Sequence, residues 1–333
     1  MKIDAYAHII PPGYKEALLK RADLAMRRSR WDQVIDSTPA LSDLDNRLRV
    51  MEKYEGLTQV LTVASPALEE VASPEDAVYL AKAANDEMAE LVRKYPDKFT
   101  AAVACLPLND VDASLREADR AINDLQFKGV QVYTSVNGKA LDSRELMPLY
   151  DKMSQYDLPI WLHPARGRTV PDYPTEDHSR YYIYQMFGWP YETTVAMSRL
   201  VFSGVMERYP NLKIVTHHLG AMVPYFSERV VIGQDYAEAH LGTRWKQLLS
   251  KPPIEYFRRF YGDTALNGNI AGLTCGYDFF GPERVVFATD FPYDNENGER
   301  FTREVIKSVE AMNIPRGHKE MIFEGNARRL LRL

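Results

Sequence analysis

Eight short runs rich in β-branched residues recur along this chain, each bounded by turn residues and followed by a stretch with helical periodicity. That alternation is what parallel βα units require, and eight such units close into a barrel. The runs are 2–6, 59–64, 99–106, 129–133, 159–163, 212–216, 259–261 and 284–288. The seventh is the least distinct, because Phe257-Arg258-Arg259-Phe260-Tyr261 reads equally as the end of a helix. The expected fold is α/β, a distorted (β/α)8 TIM barrel. A doubly wound open sheet competes with it, but no glycine-rich phosphate turn follows the first strand.

Between the strands, Ser73-Pro74-Glu75-Asp76 supplies a cap residue, a first-turn proline and acidic side chains suited to the helix dipole, which predicts a helix to Lys94. Helical spacing continues in 113–125, in 143–156 with Pro148 in its first turns, and in 192–209, where Pro210 ends it. Two segments exceed a minimal barrel: 9–45 after the first strand and 164–190 after the fifth. Both leave strands at their C-terminal ends, the face on which barrel enzymes keep their active sites, and so are candidate lids. No internal repeat, low-complexity linker or composition break divides the chain, and 1–333 is expected to be a single domain.

Composition narrows the partners. A formal net charge of -5 with no long basic run offers no footprint for nucleic acid or an anionic membrane, which leaves a small molecule. No 18-residue apolar stretch exists, and Met1-Lys2-Ile3-Asp4 reads as a strand rather than a signal segment, so a cytoplasmic enzyme is expected. Cys105 and Cys275 lack any zinc-binding spacing and read as packing residues. The sequence leaves a disulfide between them open, although nothing implies an oxidising compartment.

The chemistry concentrates at strand ends. His8 follows the first strand, His163 closes the fifth, His218 follows the sixth and Asp290 follows the eighth. A lone histidine is more often a satisfied structural residue, but strand ends are neighbours in a barrel and these four would converge. Imidazole and carboxylate suit zinc or manganese, and catalytic sites use three protein ligands with an open position.

Longer stretches carry a resemblance. They are Lys2-Ile3-Asp4 leading to His8; Arg47-Leu48-Arg49-Val50-Met51; Pro159-Ile160-Trp161-Leu162-His163-Pro164; Gly188-Trp189-Pro190-Tyr191-Glu192-Thr193-Thr194; His218-Leu219-Gly220 with Pro224; and Ala288-Thr289-Asp290-Phe291-Pro292. In order and spacing the chain resembles the amidohydrolase-related (amidohydrolase 2) family, in the branch around α-amino-β-carboxymuconate-ε-semialdehyde decarboxylase and the aromatic-acid decarboxylases. The resemblance implies that His8 is the second histidine of a His-x-His pair, His163 the fifth-strand ligand and Asp290 the eighth-strand ligand. It makes His218 the catalytic histidine, with Asp290 sharing the proton transfer.

One position departs from that pattern: Tyr6 stands where the first histidine belongs. A phenol ionises near pH 10 and is a poorer ligand unless a metal depresses it. Tyr6 therefore ligates, hydrogen-bonds substrate or water, or marks weakened metal binding. The resemblance offers Arg47 as a substrate-carboxylate binder, against a surface charge paired with Asp43 or Glu52. Arg166, Arg168 and Arg180 are either further anion binders or solvated loop charges. Tyr181, Tyr182, Tyr184, Phe187 and Trp189 wall a flat substrate or pack on the rim. His178, His217, His240 and His318 match no ligand position and read as structural or exposed. Asp263 either reaches the site or caps a turn, and Asn326 caps the last helix.

The implied function is metal-dependent, non-oxidative decarboxylation of an aromatic or unsaturated carboxylic acid. The alternatives are a metal-dependent hydrolase or hydratase acting on a lactone, C–C or amide bond, and a metal-free binding homologue. The implied cofactor is a divalent metal, Zn2+ with Mn2+ also admitted, and the implied assembly is a homodimer.

Overall fold

The computed structural model describes residues 1–23, 31–243 and 247–333. Among them, eight parallel strands run in chain order: β1 (Lys2–Ile9), β2 (Leu57–Val63), β3 (Phe99–Ala102), β4 (Val130–Tyr133), β5 (Ile160–His163), β6 (Ile214–Thr216), β7 (Tyr261–Asp263) and β8 (Val285–Val286). Ladders join β1 to β3 in one sheet and β4 to β8 in another. Single bridges, Ala104 to Val130 and Ala7 to Phe291, seam the two sheets. At the second seam the Ala5 and His8 amides each donate at 2.8 Å, to the carbonyls of Phe287 and Phe291. The result is the expected TIM barrel, closed at its seams by bridges rather than by long ladders.

Strand parity sorts the side chains. On β5, Ile160 and Leu162 pack outward among the helices, whereas Trp161 joins Ile3, Val60, Val215 and Val286 in the barrel interior. The Trp161 indole N–H donates to the Ala5 carbonyl at 2.9 Å across that interior. Ala327, Leu330 and Leu331 of the C-terminal helix pack into the same cluster beside Ile3.

Sequence signals placed most helices. α1 (Pro12–Arg21) and α2 (Trp31–Ser37) lie in the first insertion, and α3 (Leu44–Glu52) leads into β2. α4 (Pro74–Lys94) begins where Ser73 Oγ accepts the Asp76 amide, as its cap signature predicts. α5 (Val111–Asn123) is capped by Asp110, and α6 (Met147–Tyr156) carries Pro148 in its first turn. The helix expected over 192–209 is instead α7 (Trp189–Phe202) and a short Val205–Arg208 turn, parted at Gly204 with φ +83°. α8 (Ser227–Leu241) follows β6, and α9 (Ile270–Phe280) follows β7.

Strand boundaries shift from expectation along the barrel, and at three of them the cause is visible. The third ends at Ala102 rather than 106, because the Asn85 side chain takes over the Cys105 amide and carbonyl. The seventh moves to Tyr261–Asp263, since a helix over Pro253–Phe257 claims the residues before it. The eighth shortens because the Phe287 amide turns to the Ile322 carbonyl. Cys105 and Cys275 are both free thiols.

Candidate metal centre

At the C-terminal mouth, a register shift in β1 between Asp4 and Ala7 brings both Tyr6 and His8 into the ring of strand-end side chains. Strand alternation brings His163 from β5 and His217 from the end of β6 to the same place. Asp290 comes from the turn after β8, where its φ of +62° is a strained value for a side-chain-bearing residue. Asp4 steadies that turn by accepting the Thr289 amide at 3.0 Å and its hydroxyl at 2.6 Å. Asp290 Oδ1 then lies 3.3 Å from His8 Nε2 and 3.2 Å from His217 Nε2, while Oδ2 lies 3.8 Å from His218 Nε2.

The other ring nitrogens are committed outward. His163 Nδ1 donates to the Pro164 carbonyl at 2.7 Å, and His217 Nδ1 donates to Asp263 Oδ2 at 2.5 Å. His8 Nδ1 is 3.2 Å from Thr62 Oγ1, whose hydrogen goes to the Ala7 carbonyl. Each contact leaves Nε2 as the atom presented to the centre, the arrangement by which outer groups orient histidine ligands.

Charge follows the geometry. Burial lowers the His8 pKa, and burial with His8 and His217 nearby lowers that of His163 well below the usual range. Both are therefore neutral imidazoles, the ligating form. In the metal-free protein burial works against protonation of His217 too, but Asp263 and Asp290 outweigh it and push the pKa up to about 10, a proton that a bound ion would displace. Burial opposes ionisation of Asp290, yet the charge and hydrogen bond of His217, with His218 beside it, hold it well below the usual carboxylate range. Tyr6 is pushed well above the usual phenol range by burial and by Asp263 and Asp290, so it is a neutral hydroxyl.

These residues fit a divalent ion. His8 Nε2 and the Tyr6 hydroxyl are buried without a hydrogen-bond partner. Such atoms are costly unless a ligand satisfies them. Ligand atoms about 2.1 Å from one ion sit roughly 3.0 to 3.4 Å apart. The His8, His217 and Asp290 separations of 3.3 and 3.2 Å match that spacing.

Both insertions roof the site. A cavity of about 540 Å3 opens onto His218 and Asp290, with Trp31, Val34, Ser37 and Thr38 from the first insertion and Tyr182, Tyr184, Gln185 and Trp189 from the second. Part of the first expected lid, 24–30, lies outside the described residues. Tyr293 and Phe301 add aromatic rings to the wall, and Asn267, Asp294 and Asn297 give it a polar side. Trp189 stands edge-on to His163, with ring centroids 5.5 Å apart. His218 reaches this cavity because its own φ of +55° and that of Leu219 turn the chain out of the strand. Leu219 is then keyed against Gly276, where an added Cβ would come within 2.2 Å of it.

Some expectations need correcting. Arg47 is neither a surface charge nor a cavity residue: it is 1% exposed and donates to Gln59 Oε1 at 2.7 Å and to the His8 carbonyl. Burying the guanidinium behind the wall leaves it no free fork for a substrate. His217 is not peripheral but fully buried at the centre. Val215 faces the interior, and a period of two from it would have marked His217. Asp263 both reaches the site through His217 and caps its own turn by accepting the Ala265 amide at 3.1 Å. Arg166 pairs with Glu192 and Arg180 with Glu176. Asn326 does not cap its helix; its amide donates to the Pro282 and Val285 carbonyls.

A parallel barrel that gathers buried imidazoles around one carboxylate at its C-terminal mouth defines a metal-dependent barrel enzyme. The chain belongs to the amidohydrolase family, whose model matches residues 3–333. It is 31% identical over 295 residues, 85% of this chain and 87% of the relative, to a gamma-resorcylate decarboxylase of Polaromonas sp. (strain JS666). Over 347 residues, 100% of this chain and 92% of the relative, it is 27% identical to a 2-amino-3-carboxymuconate-6-semialdehyde decarboxylase of Dictyostelium discoideum. Among solved structures, a dihydroxybenzoic acid decarboxylase from Polaromonas sp. JS666 with bound manganese and the inhibitor 2-nitroresorcinol matches with a TM-score of 0.79 and 26% identity, covering 100% of this chain and 97% of that one. No helix among the described residues is long and apolar enough to cross a membrane.

Proposed function

We propose that this chain is a divalent-metal-dependent, non-oxidative decarboxylase of an aromatic or unsaturated carboxylic acid. The observation that carries the reading is the buried Asp290 carboxylate, shared by His8, His217 and His218 at the floor of an aromatic-walled cavity. Its named relatives are decarboxylases of such acids.

In the reaction the bond from the ring or chain carbon to the carboxylate breaks, CO2 leaves, and the electron pair stays on the carbon, which takes a proton. No oxidant or reductant enters the balance. His8, His163 and Asp290 would hold the ion, which supplies Lewis acidity and a template for the substrate's oxygens. Trp189, Tyr182, Tyr184 and Tyr293 hold a flat substrate by stacking. His218, a lining residue with Nε2 near Asp290 Oδ2, delivers the proton and Asp290 shares in its transfer. The Tyr6 hydroxyl, buried at the ion's site rather than in the cavity wall, would donate to a water or to the part of the substrate that reaches the ion.

Zinc is our first assignment and manganese, the ion in the Polaromonas structure, the second. We assign 1–333 to one domain, the compartment to the cytoplasm and the assembly to a homodimer. The exposed Tyr225, with Ile232 and Tyr236 on α8, supports such pairing.

The test is a metal analysis of the purified protein followed by a panel of hydroxybenzoic, carboxymuconic and lactone substrates, read by ultraviolet absorbance and CO2 release. CO2 loss dependent on Zn2+ or Mn2+ is the expected result. Lactone opening without decarboxylation would reject it in favour of a hydrolase, and activity indifferent to metal would reject the metal centre.

A further inference from the structure

Tyr6 leaves the centre one nitrogen or carboxylate ligand short of the pattern its family resemblance implies, and the structure holds a histidine in position to make up the loss. We propose that His217 takes the ligand place vacated at Tyr6, so that the ion is held by His8, His163, His217 and Asp290. In this arrangement Asp263 is the positioning residue for His217. The inference rests on the metal-centre reading above and extends it to a residue outside the resemblance.

Four observations carry it. The Tyr6 ring packs against the His217 ring, with centroids 4.2 Å apart, so the two side chains occupy one corner of the site. His217 presents Nε2 at 3.2 Å from Asp290 Oδ1, matching the 3.3 Å of His8, and its ring lies 5.7 Å from that of His8 and 5.4 Å from that of His163. Candidate ligand atoms of His8, His163 and His217 all fall within 4.8 Å of one another. Asp263 holds the opposite ring nitrogen at 2.5 Å and is itself fixed by the Leu219 and Ala265 amides. A buried carboxylate behind an imidazole fixes its tautomer and aim, as it does behind histidine ligands.

His218 is the competing candidate. Its Nε2 stands farther off, 3.8 Å from Asp290 Oδ2, and its left-handed backbone turns it into the cavity, where a proton donor is needed. Adjacent histidines thus divide two tasks: the one on strand parity binds, and the one past the strand reacts.

The test is titration of metal-free protein with Mn2+, followed by pulsed electron paramagnetic resonance of the bound ion to count imidazole nitrogens. Three nitrogens are expected in the wild type. His217→Gln should reduce the count to two and weaken Mn2+ affinity at least about a hundredfold, and Asp263→Asn should weaken it about 10- to 100-fold. Adding Tyr6→His to His217→Gln should recover at least tenfold of the lost affinity. Wild-type affinity and nitrogen count in a folded His217→Gln, with only the thermal midpoint of the metal-free protein lowered, would overturn the proposal. If His217→Gln does not fold, unchanged Mn2+ affinity in Asp263→Asn overturns it instead. Wild-type protein that binds neither Mn2+ nor Zn2+ overturns the metal-centre reading and this inference together, whereas the preceding outcomes sink only this one.

Discussion

The Arg47 guanidinium donates to the backbone carbonyl of His8 from behind the barrel wall while lying 4.4 Å from the Phe291 ring centroid. It thereby ties α3 to β1 next to His8 and touches the residue that follows Asp290. Burial pushes its pKa down to about 9, although Asp4 opposes the shift.

Replacing Arg47 by Met should therefore lower thermal stability and metal affinity together, because a buried carbonyl and the Gln59 side chain lose their donor. The loss should be on the order of 2 to 4 kcal/mol, measured by denaturant unfolding. A rise in KM with unchanged stability would restore the role of substrate-carboxylate binder.

His218→Gln should keep its metal and lose about 10²- to 10⁴-fold in kcat, the range for a general acid or base. His163→Ala should instead lose the metal. Elemental analysis beside steady-state rates separates the two, and near-normal turnover by His218→Gln would contradict its proton-handling role.

Tyr6→Phe removes a buried hydroxyl that has no partner in the metal-free protein. The thermal midpoint of that form should rise, by the equivalent of about 1 kcal/mol. With metal restored, kcat/KM should fall about tenfold while metal content is unchanged. Loss of the ion would show that the hydroxyl itself is a ligand.

Much of this centre was legible because barrel strands repeat with a period of two and deliver their last side chains to one mouth. His8, His163 and Asp290 could be read from that rule and from the flanking stretches. Tyr6 shares the face of His8 by the same period of two, but the irregularity in β1 that puts both on the interior alongside Ile3 leaves no mark in residue type. His217 was hidden by its neighbour: two adjacent histidines offered one match, and strand parity decides between them only when the strand end is known. Arg47 misled because a charge on a helix normally faces water, whereas its partners lie on β1 and β2, the latter 12 residues away in sequence. The seventh strand shifted because its defining residues follow a helix end with the same apolar content.

Glu69, just beyond β2, is pushed up to about 8 by burial, with Glu70 adding to the effect and one backbone hydrogen bond opposing it. Folding therefore favours its protonated form. That stability is complete below the unfolded value near 4.5 and is lost as pH rises through about 8. Glu69→Gln should flatten the fall in thermal midpoint between pH 5 and 8, by the equivalent of a few kcal/mol at about 1.4 kcal/mol per unit. An unchanged slope would show that the carboxyl is ionised in the fold.

Gly276→Ala should act at a distance. The added methyl meets Leu219, which adjoins His218, so the turn that aims the imidazole must shift. Metal content should stay normal while kcat falls about tenfold. Full activity would mean that α9 gives way instead.

The roof is made of two excursions separated in sequence, one carrying Trp31 and Thr38 and the other Tyr182 to Trp189, and neither supplies a proposed metal ligand. What the enzyme accepts is thus encoded in good part apart from what it does to it, the loop from Asp290 to Phe301 being the stretch that serves both. Selection, or an engineer exchanging these segments among relatives, can explore new acids without reopening the problem of holding an ion. Trp189, edge-on to His163, is where the two inheritances touch and where such exchange should first become restricted.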